Sequence, residues 1–117
     1  MATYTDQFYE LDPATPPPKG TPITVETYEY VDTDDDGFIS PSVGDEVNGS
    51  EVTAVWDGDV IRVEIDGQKI WVTGVTFYTA DGGVYFTPTD GTILDDAIFL
   101  NSREVTVSTE VPVSELG

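Results

Sequence analysis

Residues 60–65 and 68–78, rich in β-branched and aliphatic side chains, are separated only by Asp66-Gly67. That junction constrains the chain more than any other feature. A two-residue hairpin turn needs positive φ at its central positions, and Asp-Gly is one of the few pairs that adopt it readily. The turn then sets the register. Glu64 faces Lys69 and Arg62 faces Trp71, while Val63 faces Ile70 and Ile61 faces Val72. One face thus carries an ion pair and a cation–π pair, and the other carries aliphatics, as a half-buried sheet requires. A second Asp-Gly at Asp81-Gly82 predicts a second hairpin, with Tyr78 opposite Tyr85, Phe77 opposite Phe86 and Thr76 opposite Thr87. Residues 60–87 are expected to form a three-stranded meander.

The rest of the chain has the same texture, short β-rich runs broken by Asp-Gly and Pro. Strands are expected at 3–11, 23–30, 51–56 (ended by an Asp57-Gly58 turn), 93–100 and 104–113, with Pro112 marking an edge or an end. No amphipathic helix and no internal repeat is evident. The expectation is one all-β domain over residues 1–117, an antiparallel β sandwich or barrel. Residues 13–20 contain four prolines and form a stiff connector of polyproline type. Its plain role is a crossover between strands. It would also let the first strand, residues 1–12, detach and pair with a neighbouring subunit.

Charge and composition narrow the functions. There are 23 acidic and 4 basic residues, for a formal charge of −19. Nucleic acid and anionic membrane surfaces need clustered Lys and Arg, so neither is an expected partner. Divalent cations, salt or a basic partner are favoured instead, and an acidic surface adapted to salt accounts for the charge equally well. The chain contains no Cys and no His. Disulfides, thiolate and imidazole metal sites, and catalysis by Ser-His-Asp or Cys-His are therefore excluded. Calcium and magnesium, which take oxygen ligands, remain. The N-terminal residues have neither the basic nor the apolar region of a signal peptide, and no apolar run is long enough to insert in a membrane.

The segment Asp32-Thr33-Asp34-Asp35-Asp36-Gly37-Phe38-Ile39-Ser40 carries the clearest chemistry. Carboxylates at positions 1, 3 and 5, with Gly at 6, make the first half of a calcium loop of the EF-hand type. Asp32, Asp34 and Asp36 point inward on alternate residues, Gly37 permits the turn, the Phe38 carbonyl supplies another oxygen, and Ser40 contributes directly or through water. Position 12 is Val43 rather than Glu, so Asp45 or Glu46 is expected to replace the missing ligand from a longer loop. No helical pattern flanks the loop. Without a bidentate Glu the expected Kd is on the order of 10⁻⁴–10⁻³ M, the range of extracellular modules. The plainer alternative is an acidic turn without metal.

Other candidates are weaker. Asp95-Asp96 reads as exposed surface or a second acidic site, and Asn48-Gly49-Ser50 as a turn or a glycosylation sequon. Trp56 and Trp71 are candidates for a carbohydrate-binding face, against the commoner role of such aromatics in packing. A glycosidase would need two converging carboxylates in a pocket, for which the sequence gives no sign.

Several segments together resemble a known group: the opening Met1-Ala2-Thr3-Tyr4-Thr5-Asp6-Gln7-Phe8, the acidic loop, Val47-Asn48-Gly49-Ser50, Phe86-Thr87-Pro88-Thr89-Asp90-Gly91 and the closing Val113-Ser114-Glu115-Leu116-Gly117. The group is the N-terminal region of bacterial proteins carrying a Hint (Hedgehog/intein-type) domain, common in marine alphaproteobacteria. The resemblance implies that a self-cleaving domain opening with Cys follows, and that this chain is its passenger. No Hint catalytic residue is present here. Taken together, the expectation is a non-enzymatic, calcium-ordered structural module at the cell surface or outside the cell, assembling with itself into an oligomer, surface layer or fibre. The alternative is a module that binds carbohydrate or protein through exposed aromatics.

Overall fold

The computed structural model describes residues 1–103 and 109–116. Its elements are β1 (Ala2–Leu11), β2 (Glu26–Asp32), β3 (Phe38–Ile39), β4 (Glu46–Val47), β5 (Ser50–Ile65), β6 (Gln68–Thr79), β7 (Val84–Pro88), β8 (Ile98–Arg103), β9 (Val111–Pro112) and a 3₁₀ turn, Val113–Glu115. The large sheet runs β4-β2-β1-β7-β6-β5-β8, all antiparallel, and β4 also pairs with β5. Six strands therefore close into a flattened, barrel-like ring, and β8 flanks it.

Two strands change partner to make the corners. Residues 2–8 of β1 pair with β2 and 9–11 pair with β7. The start of β5 pairs with β4, and its far half lies between β6 and β8. The chain's first strand is thus held on both edges within its own ring, with Phe8 and Tyr9 buried.

Two hydrophobic clusters share these strands. The first contains Phe8, Tyr30, Val52, Val55, Val75, Phe77 and Tyr85. The second contains Tyr9, Ile23, Ile61, Val63, Val72, Phe86 and Phe99. Adjacent residues on a strand point to opposite faces, so Phe8 against Tyr9 and Tyr85 against Phe86 place the clusters on opposite sides of the sheet. In β5, however, Val55 and Ile61 are both odd-numbered yet serve different clusters. The extra residue that reverses the alternation is Gly58: the ladder jumps from Asp57↔Val75 to Asp59↔Gly74. Gly58 has φ 95°, a conformation a side chain would strain. The expected Asp57-Gly58 turn is thus a bulge inside one continuous strand.

The first hairpin is as the sequence predicts, with Glu64↔Lys69, Val63↔Ile70, Arg62↔Trp71 and Ile61↔Val72. The Arg62 guanidinium lies 5.0 Å from the Trp71 ring centre. Glu64 and Lys69 face each other but close no ion pair among the described residues, in keeping with the small gain such solvated pairs offer.

The second hairpin is displaced by one: Thr76↔Phe86, Phe77↔Tyr85 and Tyr78↔Val84. Thr79 and Gly83 close a three-residue loop, Thr79 N–H donating to the Gly83 carbonyl at 3.0 Å, with Gly82 at φ 89°. The Asp81 carboxylate accepts from Thr79 Oγ1 at 2.6 Å and from Gly83 N–H at 3.1 Å, which favours the longer loop over a two-residue turn. The resulting register keeps Phe77 with Tyr85 in one cluster and Phe86 in the other. The three-stranded meander itself stands.

Elsewhere the boundaries move. The strand expected at 23–30 begins at Glu26; residues 20–23 instead bond to 96–99, with Ile23 N–H donating to the Ala97 carbonyl and Phe99 N–H to that of Thr21. β8 starts at Ile98 rather than 93. The strand expected over 104–113 falls partly on residues 104–108, outside those described; Val111–Pro112 pairs with β3.

Candidate metal centre

The acidic loop leaves the end of β2 and returns through β3 to β4, beside the first residues of β5. Carboxylate oxygens of Asp32, Asp34, Asp36 and Asp45 lie within 4.8 Å of one another. Calcium–oxygen distances are about 2.3–2.6 Å, so oxygens on opposite sides of one ion stand about 4.6–5.2 Å apart. The four carboxylates are close enough together to hold one metal ion, and their spacing is compatible with calcium.

Backbone amides hold two of these groups from behind. Asp45 is fully buried; its Oδ1 accepts from Thr33 N–H at 2.8 Å and its Oδ2 from Ser40 N–H at 2.9 Å. Asp32 is 1% exposed, and its Oδ2 accepts from Gly37 N–H at 2.8 Å. Its other oxygen, Oδ1, is buried without a hydrogen-bond partner. A buried carboxylate oxygen left bare is costly unless a cation or donor meets it. Asp34 and Asp36 are exposed, and Asp36 Oδ1 accepts from Phe38 N–H at 3.0 Å. Partial removal from water, then a hydrogen bond to Asp32 when Asp34 carries its proton, and the charges of Asp36 and Asp45, hold the Asp34 carboxyl above the usual carboxylate range; with Asp34 ionised, Asp32 Oδ1 has no partner. Positive φ at Asp35 and Gly37 lets the chain fold back so tightly.

Of the two replacements expected for position 12, the structure brings in Asp45. Glu46 lies in β4 on the outer surface, between Val31 and Glu51, with the adjacent Val47 turned into the core. The Ser40 hydroxyl donates to Glu110 Oε2 at 2.9 Å. Phe38 opens β3 opposite Pro112, and Val113 N–H donates to the Gly37 carbonyl at 2.9 Å. Glu110 and the strap around it were not found by sequence reasoning. They come from 70 residues away, and no local pattern links them to the loop. The Met1 ammonium contacts Asp35 Oδ2, tying the start of β1 to the same loop.

The remaining candidates separate. Trp56 and Trp71 point to opposite faces of the β5–β6 pair: Trp56 is partnered by Thr76, which alternates away from Phe77, whereas Trp71 shares the parity of Phe77. Trp56 packs edge-on to Tyr78, and its Nε1 is buried without an acceptor. Trp71 is 46% exposed. The two indoles form no common platform. Asn48-Gly49 is the turn between β4 and β5, and Asp95 and Asp96 are exposed. No protein-family model matches the chain, nor does any curated protein or solved structure.

Proposed function

We propose that this chain is a calcium-ordered structural module working outside the cell, without catalytic activity of its own. The observation that carries the reading is the bare, buried Oδ1 of Asp32 beside three further carboxylates at calcium spacing. A divalent ion there would satisfy that oxygen and offset the repulsion among the four carboxylates. The loop opens directly into β3, which pairs with β9, so the ion would order the join between the barrel and its C-terminal strap. Weak affinity suits a medium with millimolar calcium. As the passenger of a Hint-type protein, such a module would be released or transferred in folded form.

Calorimetric titration with calcium, and with magnesium as comparison, tests this. Calcium is expected to give saturable heat with Kd on the order of 10⁻⁴–10⁻³ M, abolished in Asp34→Ala/Asp36→Ala. A flat titration of the folded wild-type chain would reduce the loop to an acidic turn.

A further inference from the structure

Charge is distributed very unevenly in this molecule. Of its four basic residues, Lys19, Arg62, Lys69 and Arg103, the last three share one face of the β6-β5-β8 extension. Arg62 and Lys69 alternate with the buried Val63 and the inward Ile70, and Arg103 sits opposite Val60, two residues from Arg62 on the same side. Trp71 lies among them, exposed and capped by Arg62. The register places Glu64 on this face, and Asp57, opposite Val75, lies further along it on the same side. The opposite end of β5 is the reverse. Glu46 and Glu51 are directly paired on the outer surface, with Glu29 on β2 turned the same way and the acidic loop alongside. Like charges placed opposite each other destabilise a sheet unless something positive meets them. At roughly 3.3 Å per residue, β5 carries the two regions on the order of 30 Å apart, in a molecule 42 Å long.

We propose that the Arg62–Lys69–Trp71 face of one copy docks on the Glu46–Glu51 end of a second copy, joining molecules head to tail. The occupant is a second copy because the chain itself supplies the complementary surface. Trp and Arg are the residues that most often anchor interfaces. Because the two patches are different surfaces at opposite ends, the contact is heterologous, and repeating it gives an open chain of molecules rather than a closed dimer. The interface uses none of the four clustered aspartates. It therefore stands or falls separately from calcium binding, and the test is run both with calcium and with chelator.

Sedimentation velocity over a concentration series at low salt, with circular dichroism to verify folding, reads the outcome. The wild-type chain is expected to grow in mass with concentration, and to revert to monomer in high salt. Arg62→Glu/Lys69→Glu and Glu46→Lys, each alone, should weaken association at least about tenfold. Glu46→Lys removes the like-charged pair with Glu51, so it folds at least as well as the wild type. Trp71→Ala, at an exposed site, gives a second variant that keeps the charges and should also weaken association. An equimolar mixture of Arg62→Glu/Lys69→Glu with Glu46→Lys should restore association, because each now complements the other. A wild-type chain that stays monomeric up to about millimolar concentration, association unaffected by the charge reversals, or a mixture that fails to associate would overturn the proposal. So would a monomer whose Trp71 fluorescence responds instead to an acidic polysaccharide.

Discussion

The Asp34 carboxyl gives cation binding at the acidic loop a protonic signature. It titrates above the ordinary carboxylate range because it is partly drawn from water and lies beside Asp32, Asp36 and Asp45. A cation binds only the deprotonated group. Calcium uptake in weak buffer at mildly acidic pH is expected to release protons, and apparent affinity should rise with pH through that range. A pH-stat measures the release directly; none at any pH would leave Asp34 outside the site. Another residue-scale consequence concerns Trp56, whose buried Nε1 lacks an acceptor. An unmet buried donor costs about 1–3 kcal/mol. Trp56→Phe is therefore expected to lose less than about 1 kcal/mol in denaturant unfolding despite the smaller ring. At this scale the sequence was most informative where spacing alone sets geometry. Alternate aspartates followed by Gly37 predict converging carboxylates. Whether Asp45 or Glu46 completes them depends on which way β4 faces, and that is decided by Val47 entering the core.

Among elements, β5 decides the architecture. Its bulge at Gly58 passes one strand from the cluster around Val55 to the cluster around Ile61. Deleting Gly58 would turn Ile61 and Val63 to the wrong face, and the variant is expected not to fold cooperatively. Gly58→Val keeps the count but forces a side chain into a left-handed conformation, at about 1–2 kcal/mol. Thermal melts of the two variants separate strain from register: similar losses would mean that the bulge does not set the faces. The same region holds Glu115, exposed on the C-terminal turn, whose carboxyl is raised first by loss of hydration and then by Asp57. A group that binds its proton more tightly when folded adds stability at low pH and loses it as pH rises through its folded value. Asp57→Asn should accordingly raise the melting temperature at neutral pH, with the gain shrinking toward pH of about 4. The Asp66-Gly67 hairpin was legible because turn chemistry and cross-strand partners agree. The Asp81-Gly82 hairpin slipped by one because side-chain bonds from Thr79 and to Gly83 favour a longer loop. Asp57-Gly58 looks like a turn in sequence, since a bulge and a turn demand the same backbone freedom.

For the whole molecule, β-rich runs broken by turns were sufficient to indicate an all-β ring or sandwich. The closure of β4 onto β5 and the second cluster on the outer face were not legible, because they depend on pairings far apart in sequence. The charge of −19 was legible as a number but not as a pattern; the fold sets three of the four bases on one end of the sheet and paired acids at the other. A calcium ion in the acidic loop would tie site, strap and charge together. Its most direct test is the melting temperature of wild type and Asp32→Asn, each with chelator and with about 10 mM calcium. Without calcium, Asp32→Asn removes a bare buried charge and should melt higher than the wild type. At that calcium level a Kd of 10⁻⁴–10⁻³ M stabilises the wild type by about 1.4–2.7 kcal/mol, and the order should reverse because the variant gains little. If calcium moves neither protein, or moves both equally, Asp32 holds no ion and the loop is an acidic turn.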